Sequence, residues 1–201
     1  MKKLLFTSLF ITISYVLVAQ SKSQLGIRLG VNNAKILNSE LDNKTGLYTG
    51  LFLAVRFSDS YTMQPEIVYS NQGGNASFRN GEDLNINYVS IALANKFFVS
   101  KNQGFHFILG PSLDVNFDDN FINLINDNGE NLEITPIDLA VFGGIGYEFD
   151  FGLALELRFK QGLIDLDFND SGEYGGNSEE NQLNRVFQIG LAYKFNMWAK
   201  C

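Results

Sequence analysis

What most constrains this chain is an alternation of apolar and polar residues with period two, repeated in eight separate segments. Successive side chains of an extended strand point to opposite sides, so each segment is a ribbon with two unlike faces. One parity reads Leu25, Ile27, Leu29 and Val31 in the first segment. The others run from Leu47 to Phe57, Tyr61 to Tyr69, Val89 to Phe97, Phe105 to Phe117, Ile137 to Phe149, Leu153 to Phe159 and Phe187 to Phe195. No charged residue falls on that parity. The opposite parity mixes Gly, Ala and Ser with charges that nearly cancel. Its bases are Arg28, Arg56, Lys96, Arg158, Lys160 and Lys194; its acids are Glu66, Asp114, Asp138, Glu148 and Glu156.

Eight such ribbons predict an all-β, antiparallel, up-and-down barrel, and two orientations compete. In a soluble barrel the apolar parity fills the lumen, which eight strands leave only wide enough for ordinary side chains. The small residues would then face water, where nothing requires them. In a transmembrane barrel the apolar parity meets lipid, while small residues and paired charges fill the lumen. The second orientation accounts for both faces. Composition agrees: 18 Phe, 8 Tyr and 19 Gly against three Pro suit close-packed strands.

Residues 1–19 are of another kind. Lys2 and Lys3 precede an uncharged, mostly apolar stretch from Leu4 to Val18, and Ala19 is a small residue suited to cleavage. This is the pattern of a secretory signal peptide, which leaves 20–196 as the barrel domain and 197–201 as a short tail. Removing residues 1–19 deletes two lysines and no acid, taking the net charge from −7 to −9. So acidic a chain is a poor binder of nucleic acid. The single cysteine, Cys201, allows no internal disulfide.

The connections alternate in length. Ser58–Ser60, Ser100–Gly104 and Asp150–Gly152 read as short turns, whereas Ala34–Thr45, Asn71–Asp83, Asp118–Ile134 and Leu166–Asn184 read as long polar loops. Membrane barrels have short periplasmic turns and longer outer loops. Two of the loops are acidic: one carries Asp118, Asp119, Asp127, Glu130 and Glu133, the other Asp167, Asp170, Glu173, Glu179 and Glu180. Rings beside the short turns (Phe57, Tyr61, Phe97, Phe105, Tyr147, Phe149 and Phe195) suggest an interfacial girdle.

Few residues offer chemistry. His106 shares its strand face with Ser112 and Asp114, but residues six and eight apart on one strand lie roughly 20 Å or more from it. They cannot form a nucleophile–base triad, so no catalytic residue and no cofactor is expected. Asp165, Asp167 and Asp170 are weak Ca²⁺ candidates without EF-hand spacing. The charged lumen residues are expected to form a neutralising ionic network.

Several stretches together resemble the PorT-like outer-membrane β-barrel proteins. They are Gly26–Asn32, Met63–Gly73, Tyr88–Ile91, Gly143–Phe149 and the closing Gly190–Phe195. The resemblance implies a place in the bacterial outer membrane and little about activity. It also implies that Phe195 is the carboxy-terminal aromatic read by the barrel-assembly machinery. The role expected is structural or surface-interacting, with outer-membrane lipid around the barrel and an unknown protein or surface ligand at the loops. A small-solute channel, a lipid-modifying enzyme and a soluble periplasmic barrel with an apolar ligand are the alternatives.

Overall fold

Each alternating segment is a β-strand in the computed structural model, which describes residues 22–39, 41–76, 84–100, 103–117, 137–164 and 182–195. The strands are β1 (Lys22–Ile36), β2 (Leu41–Ser58), β3 (Tyr61–Ala76), β4 (Leu84–Ser100), β5 (Gln103–Asn116), β6 (Ile137–Glu148), β7 (Leu153–Gly162) and β8 (Asn184–Lys194). Every neighbour is antiparallel, and β1 pairs with β8 from Gly26↔Lys194 to Ile36↔Asn184, so the sheet closes. Closure satisfies the backbone donors that an open edge would leave bare in hydrocarbon.

The orientation is decided by exposure. Leu51 is 56% exposed, Leu109 60% and Ile67 61%, whereas Glu66 and Glu156 on the other parity are 2% and 3% exposed. The apolar parity therefore lies on the outer surface, against the arrangement that a soluble barrel needs. Val55 is the exception on that parity, being buried. The greasy exterior and charged interior make this a transmembrane β-barrel in which lipid takes the place of water.

Two features differ from the sequence expectation. The connection between β1 and β2 is not a long loop but a short one, turning at residues 37–39, because both strands continue well past their apolar segments. Asn38 adopts φ 58° there, and Ser39 Oγ donates to Ile36 O at 3.0 Å. The strands continue because Ala34, Ile36 and Leu41 point inward and are buried, where they pack that end of the lumen. β3 likewise runs on to Ala76. The lumen is also less polar than its sequence listing suggests. Phe52, Ala54, Ala154 and Ala192 cluster near the short-turn end, and Ala92, Ala94, Ile108 and Phe142 cluster at mid-height.

At the short turns, Gly152 has φ +92°, a backbone conformation that a side chain rarely adopts. Rings gather at this end: Phe57 stacks on Tyr61 at 5.8 Å, Tyr61 meets Phe97 at 5.4 Å, and Tyr147 meets Phe149 at 5.0 Å. Residues 1–19, the tail 197–201, Asp165, Asp167 and Asp170, and the acids of the two long loops lie outside the described residues.

Candidate functional site: the charged core of the lumen

At mid-height, inward side chains from β1, β3, β4 and β7 meet across the barrel. Glu66 and Glu156 are the acceptors. Arg28 Nη1 pairs with Glu66 Oε2. Arg158 bridges the two acids: Nη1 donates to Glu66 Oε2 at 2.9 Å, Nη2 to Glu66 Oε1 at 2.8 Å, and Nε to Glu156 Oε2 at 3.0 Å. Lys96 Nζ donates to Glu156 Oε1 at 2.6 Å, and Arg28 Nη2 lies 3.6 Å from Glu156 Oε2. Three cations thus surround two carboxylates, all of them buried.

The strand chemistry explains how Glu66 is presented. Pro65 lacks a backbone donor, and the β2–β3 pairing skips from Phe52↔Glu66 to Val55↔Met63 around it. Gln64 and Glu66 flank this proline and both turn inward, where Gln64 Nε2 donates to Glu66 Oε1 at 2.8 Å. The Gln-Pro-Glu segment is therefore a local device that braces the carboxylate. Inward aromatics complete the shell. Arg28 lies 5.1 Å from the centre of the Tyr48 ring, Arg158 5.1 Å from Phe142 and Lys96 5.8 Å from Phe52. These are cation–π distances, and they give the guanidinium and ammonium faces a partner that water would otherwise supply.

The remaining candidates are distributed along the lumen. Lys160 pairs with Asp114, and Asp138 stands opposite Asp114 in the β5–β6 register. Lys194 pairs with Glu148 near the short-turn mouth, where both are partly accessible. Arg56 is drawn away from the cluster. Its Nε donates to Ser58 O at 3.2 Å and Nη2 to Asp59 O at 3.1 Å, so it clamps the β2–β3 turn. His106 is fully buried; Nδ1 donates to Gly104 O at 2.8 Å and Nε2 is 4.0 Å from Glu156 Oε1. Phe195, the last described residue, closes β8: its N donates to Leu25 O at 2.8 Å and its ring lies 5.6 Å from Tyr193.

Sequence reading missed a second, uncharged network above the cluster. Asn32 Nδ2 donates to Ser70 Oγ at 2.8 Å, Gln188 Nε2 to Asn32 Oδ1 at 3.0 Å, Gln72 Nε2 to Ser70 Oγ at 2.8 Å and Asn184 Nδ2 to Gln72 Oε1 at 2.6 Å. Amides and hydroxyls on the inward parity were the available signal, but their partners are as much as 156 positions apart. Between the two networks the lumen narrows to a void of about 20 Å³, lined among others by Arg28, Glu66, Ser90, Ser112 and Lys160. Roughly 10–15 Å³ is the space one water needs. At the short-turn end it widens into a polar mouth of about 510 Å³ lined by Arg56, Phe98, Glu148 and Lys194.

A closed antiparallel barrel with lipid-facing Leu, Ile and Phe outside and paired charges within defines the class of outer-membrane β-barrels. The chain belongs to the family described as outer membrane protein beta-barrel domain, whose match covers residues 18–167. No curated protein matches it. Among solved structures it is similar to the Neisserial surface protein A (14% identity, 86% of this chain and 97% of that one, TM-score 0.48). It is also similar to Ail, the attachment invasion locus protein of Yersinia pestis, in complex with the heparin analogue sucrose octasulfate (15%, 87% and 99%, 0.48). A third similar structure is the outer membrane enzyme PagL (11%, 85% and 99%, 0.46).

Proposed function

We propose that this protein is a non-enzymatic barrel of the outer membrane, within the PorT-like group, which anchors and displays acidic loops to a partner or surface ligand. Residues 1–19 act as the export signal in this reading, and 20–196 form the inserted domain. The short turns then face the periplasm and the long loops the exterior. Phe195 serves as the residue read by the assembly machinery. The observation that carries the proposal is the cluster of Arg28, Lys96 and Arg158 on Glu66 and Glu156. It ties four strands together at mid-height, where a channel would need a water-filled path. A cluster so placed rigidifies the barrel and blocks it, which suits an anchor.

The small-solute channel is the reading to exclude. The mature protein reconstituted in a planar bilayer is expected to give no single-channel steps; discrete, reproducible steps would overturn the anchor. The enzymatic reading is tested separately. Mass spectra of outer-membrane lipids from cells with and without the protein should coincide, and a protein-dependent mass change would favour a lipid-modifying enzyme instead. The displayed loops are tested on whole cells. Replacing residues 118–134 and 166–183 with short turns should leave insertion intact and abolish adhesion to whatever surface the intact protein binds.

A further inference from the structure

Near the long-loop end of the lumen, three oxygen-bearing side chains stand in one rung. Ser90 on β4 is paired with Asp114 on β5, and Asp114 is paired with Asp138 on β6. All three point inward and are buried, both aspartates completely. Directly opposed residues of antiparallel strands have Cβ atoms about 4.5–5.5 Å apart. Asp114 therefore stands between Ser90 and Asp138, each a neighbour of it, and the inward curvature of the closed sheet turns the outer two towards it. Among the described ion pairs only Lys160 reaches this rung, through Asp114 Oδ2. The amide of Ile164 donates to Asp138 Oδ1 at 3.2 Å. Ser90 Oγ, Asp114 Oδ1 and Asp138 Oδ2 have no hydrogen-bond partner among the described residues.

Charge and satisfaction point the same way. One ammonium against two carboxylates leaves a negative charge uncompensated, and a buried charge without a counter-ion is strongly unfavourable. The surplus cation of the central cluster does not answer it, because Arg28, Lys96 and Arg158 spend their described ion pairs on Glu66 and Glu156. Ser90, which could donate to Asp114, leaves its oxygen unpaired as well.

We propose that Ser90, Asp114 and Asp138 bind one hard metal cation that enters from the long-loop end. Carboxylate and hydroxyl oxygens suit calcium, magnesium or sodium; the rung offers no thiolate or imidazole for a softer metal. Calcium fits best, because it accepts irregular oxygen sets, whereas magnesium demands near-octahedral geometry that three side chains on adjacent strands do not provide. The site differs from the weak candidates Asp165, Asp167 and Asp170.

The test uses the full mature protein, folded in detergent and stripped with chelator. Terbium is titrated in, read by tyrosine-sensitised luminescence, and displaced with calcium, magnesium or sodium. Unfolding is followed in parallel by heat-modifiable migration on gels. Calcium is expected to displace terbium from a saturable step and to raise the unfolding temperature. Asp114→Asn and Asp138→Asn should each weaken that step about tenfold or more, the scale typical of disturbing a metal's surroundings. Ser90→Ala should weaken it less, and a triple Asn variant at 165, 167 and 170 should leave it unchanged. If displacement follows sodium rather than calcium, the cation is monovalent and the rung still holds it. No saturable step, or a step lost only in the triple loop variant, overturns the proposal. Should an Asn variant fail to fold, Ser90→Ala decides: an unchanged calcium step overturns the site.

Discussion

Glu66 accepts from three side chains, and its surroundings show what a single lumen residue does. Two arginines and Gln64 share its oxygens, and all of these side chains are buried. Replacing it with leucine strands Arg28 and Arg158 beside each other. Removing one partner of a buried pair costs about 3–5 kcal/mol, so Glu66→Leu should lower the unfolding free energy by that amount in a urea titration of the detergent-folded protein. A second residue-scale prediction concerns space. A Cβ on Gly190 would lie 1.9 Å from the Tyr48 hydroxyl, whose ring reaches from β2 over Gly30 of β1. Gly190→Ala should therefore destabilise by about 1–3 kcal/mol, the usual cost of overpacking. Tyr48→Phe, which removes that oxygen, should recover part of the loss in a double-mutant cycle. Were the two substitutions strictly additive, the contact would be energetically irrelevant.

At the scale of the element, alternation made the strands legible, because a membrane barrel must keep one parity greasy and the other not. Strand ends were less legible. Lys35, Asn43 and Lys44 read as loop because polarity alone marks them, yet each lies in β1 or β2. What extends these strands is inward packing of Ala34, Ile36 and Leu41, a tertiary effect that no local pattern announces. The lumen aromatics escaped for a related reason: Phe52, Phe98 and Phe142 sit on the polar parity, and only the cations above their rings reveal their use. The charged residues were legible as a set, but their pairing was not. Partners such as Arg158 and Glu66 are 92 positions apart. The β1–β2 turn supplies a prediction at this scale. Asn38 has φ 58°, so Asn38→Val should cost about 1–2 kcal/mol, as a left-handed residue with a branched side chain does. Asn38→Gly should cost less than Asn38→Val in the same urea titration, because glycine adopts this backbone conformation without strain.

For the whole molecule, stability comes from a closed ladder, a lipid-facing surface and a buried ionic core. Buried ion pairs are screened by salt far less than exposed ones. Raising potassium chloride across the physiological range should therefore shift the temperature of heat-modifiable unfolding very little. A marked fall would mean that solvent reaches Glu66 and Glu156.

The strands are also unequal in length. β1 to β4 have 15, 18, 16 and 17 residues, whereas β7 and β8 have 10 and 11. Crossing the hydrocarbon takes about 9–11 tilted residues, so the first four strands have a surplus and the last two almost none. The surplus bears outward amides that hold one another: Asn43 Nδ2 donates to Asn33 Oδ1 at 3.0 Å, and Asn71 Nδ2 to Asn87 Oδ1 at 2.7 Å. Among the described residues β4 carries this ladder past the end of β5, Tyr88 lying opposite Asn116 while β4 begins at Leu84, whereas β1 and β8 end level, Ile36 opposite Asn184. The described rim is therefore stepped, and its taller part is stiffened by paired amides rather than by apolar side chains.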